Sequence, residues 1–375
     1  MSRINAPAWT ILVVGLVLVV GVAGFVLTAG DDSAAPAPAS STATDAPTAA
    51  EVFLDDYVED DGRVVRHDQG GDTVSEGQAY AMLVAVGTDD RDTFDAVWSW
   101  TQEHLVRADD GLLAWRWADG AVADPSSASD ADLDAARALV LAGRLWGDDG
   151  YTQAGVSLGQ AILDHETVST PAGLVLVAGQ WATSSAPYWF NPSYVSPAAT
   201  QVLASVDDDP RWTQLEEGSA QAVRAATVDG QLTPDWAQVD DSGNAWPTSA
   251  PDGSAPVFSY DAARTIVRNA ESCRDADREI ADALVGVLGT GEPYGSYSLD
   301  AQPQTGDLSS LMAVSMAAGA AVRGDTATAD ARLQQARDVQ ASSPSYYGAA
   351  WAALGPLMLT TDALGGCPPL GGDGP

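Results

Sequence analysis

Apolar residues recur at steps of three and four from about residue 52 to residue 364, and short runs rich in Gly, Pro and Asp separate the segments. This spacing puts the apolar side chains on one face of a helix. No run alternates β-branched and polar residues for long enough to predict a sheet. The pattern therefore predicts an all-α domain, with helices over residues 75–88, 92–106, 130–146, 149–165, 195–206, 211–227, 258–270, 275–288, 308–322, 327–340 and 344–361.

The number of these segments also suggests how they pack. Eleven helices are predicted, and allowing for one that the pattern hides brings the count to about twelve. Helices that follow each other through short breaks pack as antiparallel neighbours. Antiparallel pairs around one core indicate an α/α barrel, with short extended pieces expected near residues 112–117.

The first fifty residues have a different pattern. Residues 8–29 form an uncharged apolar run of about 20 residues, which is long enough to cross a bilayer as a helix. Arg3 is the only charge before this run, so the positive-inside tendency places the N-terminus in the cytoplasm and the rest of the chain outside. A cleaved signal peptide is the alternative, because residues 27–29 offer a small-residue cleavage site. Both interpretations export the protein.

The segment after the apolar run is rich in Ala, Pro, Ser and Thr and contains no large apolar side chain. Such a composition cannot bury enough surface to fold, so we interpret it as a disordered linker. The chain therefore divides into a signal anchor or signal peptide at residues 1–30, the linker at residues 31–50, and one folded domain at residues 51–375.

Charge excludes several classes of partner. The 375 residues include 17 basic and 52 acidic side chains, for a net charge of −35, and every basic residue is Arg. A surface of this kind repels the phosphates of nucleic acids and the headgroups of anionic lipids. We therefore expect no nucleic-acid partner, and a membrane contact only through the N-terminal segment if that segment is not cleaved.

The cysteines and histidines show no metal-site spacing. Cys273 and Cys367 lie far apart in an exported domain, so we predict a disulfide that ties the C-terminal tail to a helix. His67, His104 and His165 are scattered, and none is spaced as a ligand with another His or with Cys. No metal site is expected.

Two candidate chemical segments have ordinary structural explanations. Asp130 follows Ser129 at a predicted helix start, where either residue could be the N-cap and a carboxylate suits the positive end of the helix dipole. Asp261 and Arg264 stand three residues apart, the spacing of a routine ion pair on one helix face. On physics alone, both are more typical of helix stabilisation than of catalysis.

Glu76 lies in a third segment, in the first turn of a helix that Ser75 and Gln78 would open with a capping box. The helix dipole would lower the pKa of Glu76, which is the wrong direction for an acid that works near neutral pH. A catalytic role would therefore require burial and a neighbouring carboxylate, with Asp130 as the candidate neighbour, to outweigh the dipole.

These segments resemble the motifs of a known family. Residues 75–80 read Ser-Glu-Gly-Gln-Ala-Tyr, residues 128–146 begin Ala-Ser-Asp-Ala-Asp, and residues 260–264 read Tyr-Asp-Ala-Ala-Arg. Together with shorter pieces at 191–194 and 234–236, they resemble glycoside hydrolase family 8 over nearly the whole exported part. The resemblance implies an (α/α)6 barrel of six helical hairpins.

The resemblance also implies roles for these residues. Glu76 matches the family's proton donor, and Asp261 matches the base that activates the attacking water. Asp130 matches the aspartate that holds the sugar at the cleavage point, and Arg264 is a nearby orienting cation. Four positions depart from the family pattern: Ala81, Ala135, Ile266 and Val267.

Aromatic side chains supply the remaining candidates. The flat C–H faces of sugar rings stack on indole and phenol rings, so a long polysaccharide cleft needs such platforms. Trp115 is the candidate that we select among the aromatics on this ground. Tyr194, Trp236 and Tyr260 lie in the segments that resemble the family, so we add them as substrate-binding candidates.

Together these features predict an extracytoplasmic endo-β-1,4-glucanase that inverts configuration, acts as a monomer on a β-linked polysaccharide and uses no cofactor. It would be extracellular or held at the cell surface. A chitosanase or xylanase of the same family is the alternative. The four departures also motivate a different class of function, a glycan-binding module that has lost catalysis.

Overall fold

A computed structural model describes residues 48–371. Within that range, twelve α-helices account for most of the fold. In chain order they are α1 (Ala49–Tyr57), α2 (Ser75–Gly87), α3 (Arg91–His104), α4 (Ser129–Trp146), α5 (Asp149–His165), α6 (Pro197–Ala204), α7 (Arg211–Ala226), α8 (Ala262–Ala270), α9 (Asp275–Leu288), α10 (Ser310–Val322), α11 (Thr326–Ser342) and α12 (Tyr346–Thr360).

The even-numbered helices form a closed inner ring. Each packs against the next even-numbered helix, and α12 returns to α2. Each also packs against an outer helix: α3 covers α2, α5 covers α4, α7 covers α6, α9 covers α8, α11 covers α10, and α1 covers α12. The described residues therefore form an α/α barrel of six inner and six outer helices, as the sequence predicts.

Composition explains which helices lie inside. Almost every side chain of α2, α10 and α12 is buried, whereas α3 and α11 bury only one face. A helix that is apolar or small all round requires burial on every side, and an amphipathic helix requires it on one side only. Small residues also let the two rings approach closely. A Cβ added to Gly155 of α5 would lie 2.8 Å from the Ala136 carbonyl oxygen of α4.

Eleven helices were predicted from the sequence, and all eleven are present. The additional helix, α1, is only 9 residues long and begins inside the predicted linker, so the folded domain starts before residue 51. Thr48 and Glu51 open it with a capping box. The prediction for residues 258–270 began too early, because Phe258 forms an antiparallel bridge with Tyr297 and the helix starts only at Ala262.

The prediction of an all-α domain was too simple. Short strands form three small antiparallel sheets within residues 73–247. They are β1 (Thr73–Val74), β2 (Arg116–Ala118), β3 (Ala121–Asp124), β4 (Thr167–Thr170), β5 (Gly173–Leu176), β6 (Tyr188–Phe190), β7 (Ala237–Val239) and β8 (Ala245–Pro247). Strands of two to four residues contain too few positions to show an alternating pattern. Strand β2 begins in the region where an extended piece was expected.

Two predicted helix caps were wrong for the same reason. The N-cap of α2 is Val74, and the N-cap of α4 is Ala128; neither makes a side-chain capping bond. Gln78 instead accepts a hydrogen bond from the Val64 amide at 2.6 Å and donates one to Thr101 at 2.9 Å. The Ser129 hydroxyl donates to the Val177 carbonyl at 2.6 Å. Buried polar side chains thus bond to other segments rather than to their own helix ends.

The C-terminal tail closes one side of the fold. Cys273 and Cys367 form a disulfide, and the Cys367 amide donates to the Glu271 carbonyl at 2.8 Å. The predicted signal segment and most of the predicted linker lie outside the described residues. Within residues 48–371, no helix has both the length and the apolar character needed to cross a bilayer.

Candidate active site

Three candidate carboxylates meet at the N-terminal ends of inner helices. Glu76 is in the first turn of α2, Asp130 is in the first turn of α4, and Asp261 immediately precedes α8. Because the chain alternates between the inner and outer rings, the inner helices run in the same direction. Residues far apart in sequence are therefore brought to one mouth of the barrel.

The guanidinium of Arg264 joins the three carboxylates. Its Nη1 donates to Glu76 Oε2 at 2.9 Å and to Asp130 Oδ2 at 2.7 Å, and its Nη2 donates to Asp261 Oδ1 at 2.8 Å. Nη1 also donates to the Tyr80 hydroxyl oxygen at 3.0 Å. Arg264 and Asp130 are buried, whereas the Glu76 and Asp261 side chains are 21% and 30% exposed. The two carboxyls predicted to be the acid and the base are thus more exposed than Asp130.

A different carboxylate caps the helix behind Asp261. Asp235 Oδ1 accepts hydrogen bonds from the Ala262 amide at 2.9 Å and the Ser259 amide at 2.8 Å. Asp261 makes no capping bond and instead accepts from Asn191 Nδ2 at 3.1 Å. Since Asp235 satisfies the first amide of α8, the carboxylate of Asp261 is left for the site.

Burial sets the acidity of these groups. Burial raises the pKa of Glu76 to about 7, and the anionic Asp130 and Asp261 act in the same direction while Arg264 opposes them. Burial also raises the pKa of Asp261, which Arg264 and Asn191 oppose. It raises the pKa of Asp235 to about 6, with anionic Asp261 contributing. Burial and like charges therefore outweigh the helix dipole at Glu76, as a general acid requires.

Three ion pairs join α4 to the α8 segment, and the first is Arg264 with Asp130. The second is a bidentate pair of Arg268 with Asp134, at 2.8 and 2.7 Å. In the third, Arg137 of α4 donates to Glu271, which follows α8, at 2.9 and 2.7 Å. These side chains are fully or almost fully buried. We call this set the α4–α8 ladder; it fixes the helix that carries Arg264 against the helix that carries Asp130.

The predicted aromatic residues lie around this centre. The Arg264 guanidinium stacks over the Tyr194 ring at 5.3 Å, and Tyr194 contacts the half-buried Trp236 edge to face at 6.2 Å. The Trp115 carbonyl accepts from the Ser75 amide at 2.9 Å, so Trp115 lies beside the turn that carries Glu76. Tyr260 is 52% exposed. All four therefore lie near the carboxylates.

Several residues of the site were not selected from the sequence. Asp235 and Asn191 were noted only as parts of resembling segments, and Tyr80 only as the end of the Glu76 motif. Arg268 and Asp134 were not selected at all. The sequence does contain a signal for the ladder. Two acidic residues, Asp130 and Asp134, lie four residues apart on one helix, and two basic residues, Arg264 and Arg268, have the same spacing on another. Within residues 48–371, no cluster of three or more His, Cys, Asp or Glu side chains is arranged to hold a metal.

A helical barrel with two reachable carboxyl groups of different environment at its mouth fits the class of glycoside hydrolases, which cleave acetals with such a pair. The sequence model of glycosyl hydrolases family 8 matches residues 33–361, and the chain belongs to this family.

Curated relatives agree with this assignment. An endoglucanase of Salmonella typhi is 34% identical over 230 residues, which are 58% of this chain and 60% of that protein. An endoglucanase of Xanthomonas axonopodis pv. citri is 34% identical over 253 residues, 64% of this chain and 60% of that one. The matches thus span about 60% of the length of each relative.

Solved structures match over more of the chain. A family 8 endoglucanase from Klebsiella pneumoniae has a TM-score of 0.70 and 25% identity, and the match covers 83% of this chain and 98% of that structure. The endo-β-1,4-glucanase CMCax from Acetobacter xylinum has a TM-score of 0.70 and 25% identity, covering 83% of this chain and 97% of that structure.

Proposed function

We propose that this protein hydrolyses β-1,4-glucan chains internally and with inversion of configuration. The observation that carries the proposal is the meeting of Glu76, Asp130 and Asp261 on the single guanidinium of Arg264, at an open end of the barrel. Acetal hydrolysis needs one carboxylic acid for the leaving oxygen and one carboxylate for water. The names of the similar endoglucanases support the choice of glucan.

Glu76 is suited to the acid role. A group with a pKa of about 7 is still partly protonated near neutral pH, so it can give a proton to the glycosidic oxygen. Arg264 bonds to Oε2 of Glu76 and leaves Oε1 without a donor among the described residues. After transfer, the same Arg264 stabilises the carboxylate that forms.

Asp261 is suited to the base role. Two donors, Arg264 and Asn191, hold one oxygen each at 2.8 and 3.1 Å, which fixes the plane of the carboxylate. Its side chain is partly exposed, so water can approach it. In an inverting reaction this water attacks the anomeric carbon from the face opposite the leaving oxygen while Asp261 takes its proton.

Asp130 has a different environment from the other two. Its side chain is only 3% exposed, and one oxygen accepts from Arg264. A buried carboxylate beside the reacting carbon can bind a sugar hydroxyl and stabilise the positive charge that develops on the ring. We assign it to holding the sugar at the cleavage point.

The stereochemical outcome tests the mechanism. Wild-type protein should release the α-anomer first from a β-linked glucan, and viscosity should fall faster than reducing ends accumulate because cleavage is internal. Early products followed by proton NMR give the anomer directly. Appearance of the β-anomer first would mean retention and would remove Asp261 from the base role. Parallel assays on carboxymethyl cellulose, mixed-linkage glucan, xylan and chitosan would identify the substrate.

We also propose that the protein works outside the cytoplasm, as a monomer, either anchored by residues 8–29 or released after cleavage. The apolar run and the disulfide between Cys273 and Cys367 support export, because disulfides persist in oxidising compartments. Chain recovered from the cells that make it should show no free thiol in denaturant. Two free thiols would contradict export.

A further inference from the structure

A second pair of carboxyl groups lies behind the proposed active site. Asp132 is in the first turn of α4, and Glu166 is the C-cap that follows α5; both are fully buried. The two side chains lie close enough for a hydrogen bond between them once one of them is protonated. Neither reaches the mouth of the barrel, so neither can act on a substrate directly.

Each carboxyl has one oxygen with a donor and one without. Asp132 Oδ1 accepts from the Leu113 amide at 2.8 Å, and Glu166 Oε1 accepts from the Ser127 hydroxyl at 2.6 Å. The other oxygens, Asp132 Oδ2 and Glu166 Oε2, have no N–H or O–H partner among the described residues. A carboxylate oxygen in a dry interior needs a donor. One proton on one carboxyl supplies that donor for the other.

The surrounding charged groups do not neutralise the pair in place of this proton. Anionic Asp130 faces both carboxyls, and Asp110 faces Glu166. Arg107 also faces Asp132, but it pairs with Asp110 at 2.7 Å, and its Nη1 bonds to neither carboxyl of the pair. Two negative charges on the pair would therefore stand buried without compensation, which is strongly unfavourable.

The pair bonds to two segments of the proposed active site and is joined through Ser127 to a third, neighbouring segment. Leu113, bonded to Asp132, lies two residues before Trp115, and Ser127, bonded to Glu166, lies three residues before Asp130. The Ser127 hydroxyl oxygen also accepts from the Gln180 amide at 2.9 Å, which fixes the segment that carries the exposed Trp181. One buried contact therefore sets the position of one side of the cleft.

We propose that Asp132 and Glu166 share a single proton and act together as positioning residues, holding the segments of Trp115 and Asp130 in place for glucan binding and hydrolysis. This inference rests on the proposed function. The pair touches no reacting atom and acts through the segments that it holds.

The raised pKa values of Glu166 and Asp132 support a shared proton. Burial raises the pKa of Glu166 to about 8, against the hydrogen bond from Ser127, and anionic Asp130 adds to the rise. Burial raises the pKa of Asp132 well above its ordinary value, and Glu166 acts in the same direction. Between pH 4.5 and about pH 8, the folded pair holds a proton that Glu166 has released in the unfolded chain. Stability therefore falls as pH rises through this window.

The decisive variant is Glu166→Gln. Its side-chain oxygen can still accept from Ser127, and its amide N–H can donate to Asp132 as the shared proton does. This variant should keep the wild-type kcat and KM on soluble β-glucan, and Asp132→Asn should behave in the same way. Glu166→Ala removes the partner and should lower kcat by at least about tenfold, because small displacements of an active-site segment have large effects on rate.

The pH dependence separates a shared proton from simple packing. The unfolding midpoint in urea of the wild type should fall from mildly acidic to mildly alkaline pH more steeply than that of Glu166→Gln, which has no proton to lose. Glu103→Gln, the same change at an exposed position of α3, should keep the wild-type slope. The inference is overturned if Glu166→Gln is as damaged as Glu166→Ala, or if its slope equals that of the wild type.

Failure of the proposed function gives a different result. If wild-type protein cleaves no β-glucan, the function is wrong, yet the urea measurements on wild type, Glu166→Gln and Glu103→Gln still decide whether the pair holds a proton. If wild type is active and both amide variants lose activity, the shared proton is wrong and the function stands.

Discussion

Arg264 is the residue that joins the three carboxylates of the proposed active site. A single buried guanidinium bonds to Glu76, Asp130 and Asp261, and so it compensates like charges that would otherwise repel one another. Its planar, forked geometry suits this task, because donors on two different nitrogens hold separate carboxylates. The compensation is incomplete at Glu76, whose pKa still rises to about 7 through burial. Arg264 thus holds the site together, while burial keeps Glu76 partly protonated near neutral pH.

The roles of Glu76 and Asp261 can be separated by the leaving group. An activated aryl glycoside departs with little protonation, so removal of the acid should matter less for it than for a glucan. Glu76→Gln should lose glucan hydrolysis and keep a larger fraction of its aryl-glycoside activity, whereas Asp261→Asn should lower both rates together. Steady-state rates on the two substrates measure this difference. Equal losses in Glu76→Gln would argue against its role as the acid.

The pH profile gives a second measurement of the same assignment. Glu76 acts in its protonated form, so wild-type kcat/KM should fall as pH rises through about 7. The residual aryl-glycoside activity of Glu76→Gln should lack this alkaline decline. A decline that persists unchanged in the variant would assign it to another group.

At the scale of elements, the α4–α8 ladder joins two helices that come from different hairpins. Arg268 with Asp134 and Arg137 with Glu271 lie below the active site and are buried. Breaking a buried ion pair by removing one partner leaves an uncompensated charge, which costs more than replacing both partners by apolar residues. The ladder therefore contributes mainly to the position of Arg264 rather than to net stability.

This distinction can be measured. Arg268→Met should lower the free energy of unfolding by about 3–5 kcal/mol, because Asp134 is left buried and charged. Arg268→Met combined with Asp134→Leu should recover most of that loss. Arg323→Gln, which breaks an exposed pair with Asp282, should change stability by at most about 1 kcal/mol. Denaturant unfolding gives all three values, and a double variant less stable than Arg268→Met would contradict this interpretation.

At the scale of the whole molecule, the two ends of the described range contact the barrel at different places. Helix α1 covers α12, and the C-terminal tail is fixed beside the end of α8 by the disulfide. Arg137 also donates to the Leu364 carbonyl at 2.8 Å, so the tail contacts the lower end of the ladder. The disulfide closes a loop of 94 residues, which restricts the unfolded chain more than the folded one.

Removing both cysteines should therefore destabilise the domain without altering its chemistry. The variant Cys273→Ser with Cys367→Ser should unfold with about 2–5 kcal/mol less free energy than the wild type. A reducing agent should lower the denaturation midpoint of the wild type and leave that of the variant unchanged. Wild-type kcat at a temperature well below unfolding is expected in both proteins, because the disulfide does not contact the carboxylates.

The sequence by itself determined the helices, because a period of three to four residues is a local property that each segment shows alone. It also pointed to Glu76, Asp130, Asp261 and Arg264, through short motifs in which the important residues lie near one another in the chain. Helix α1 was missed because it begins inside the segment whose composition predicted a linker, and the strands were missed because two to four residues give too little pattern.

Tertiary structure decided what these residues do to one another. The capping box expected at Ser75 did not form, because Gln78 found partners in other segments. The pKa of Glu76 depends on burial and on two carboxylates that lie far along the chain. The pairing of Asp132 with Glu166 likewise joins two helices. Charge and hydrogen bonding act through space over a few ångströms, so their partners appear only once the barrel has brought distant helix ends together.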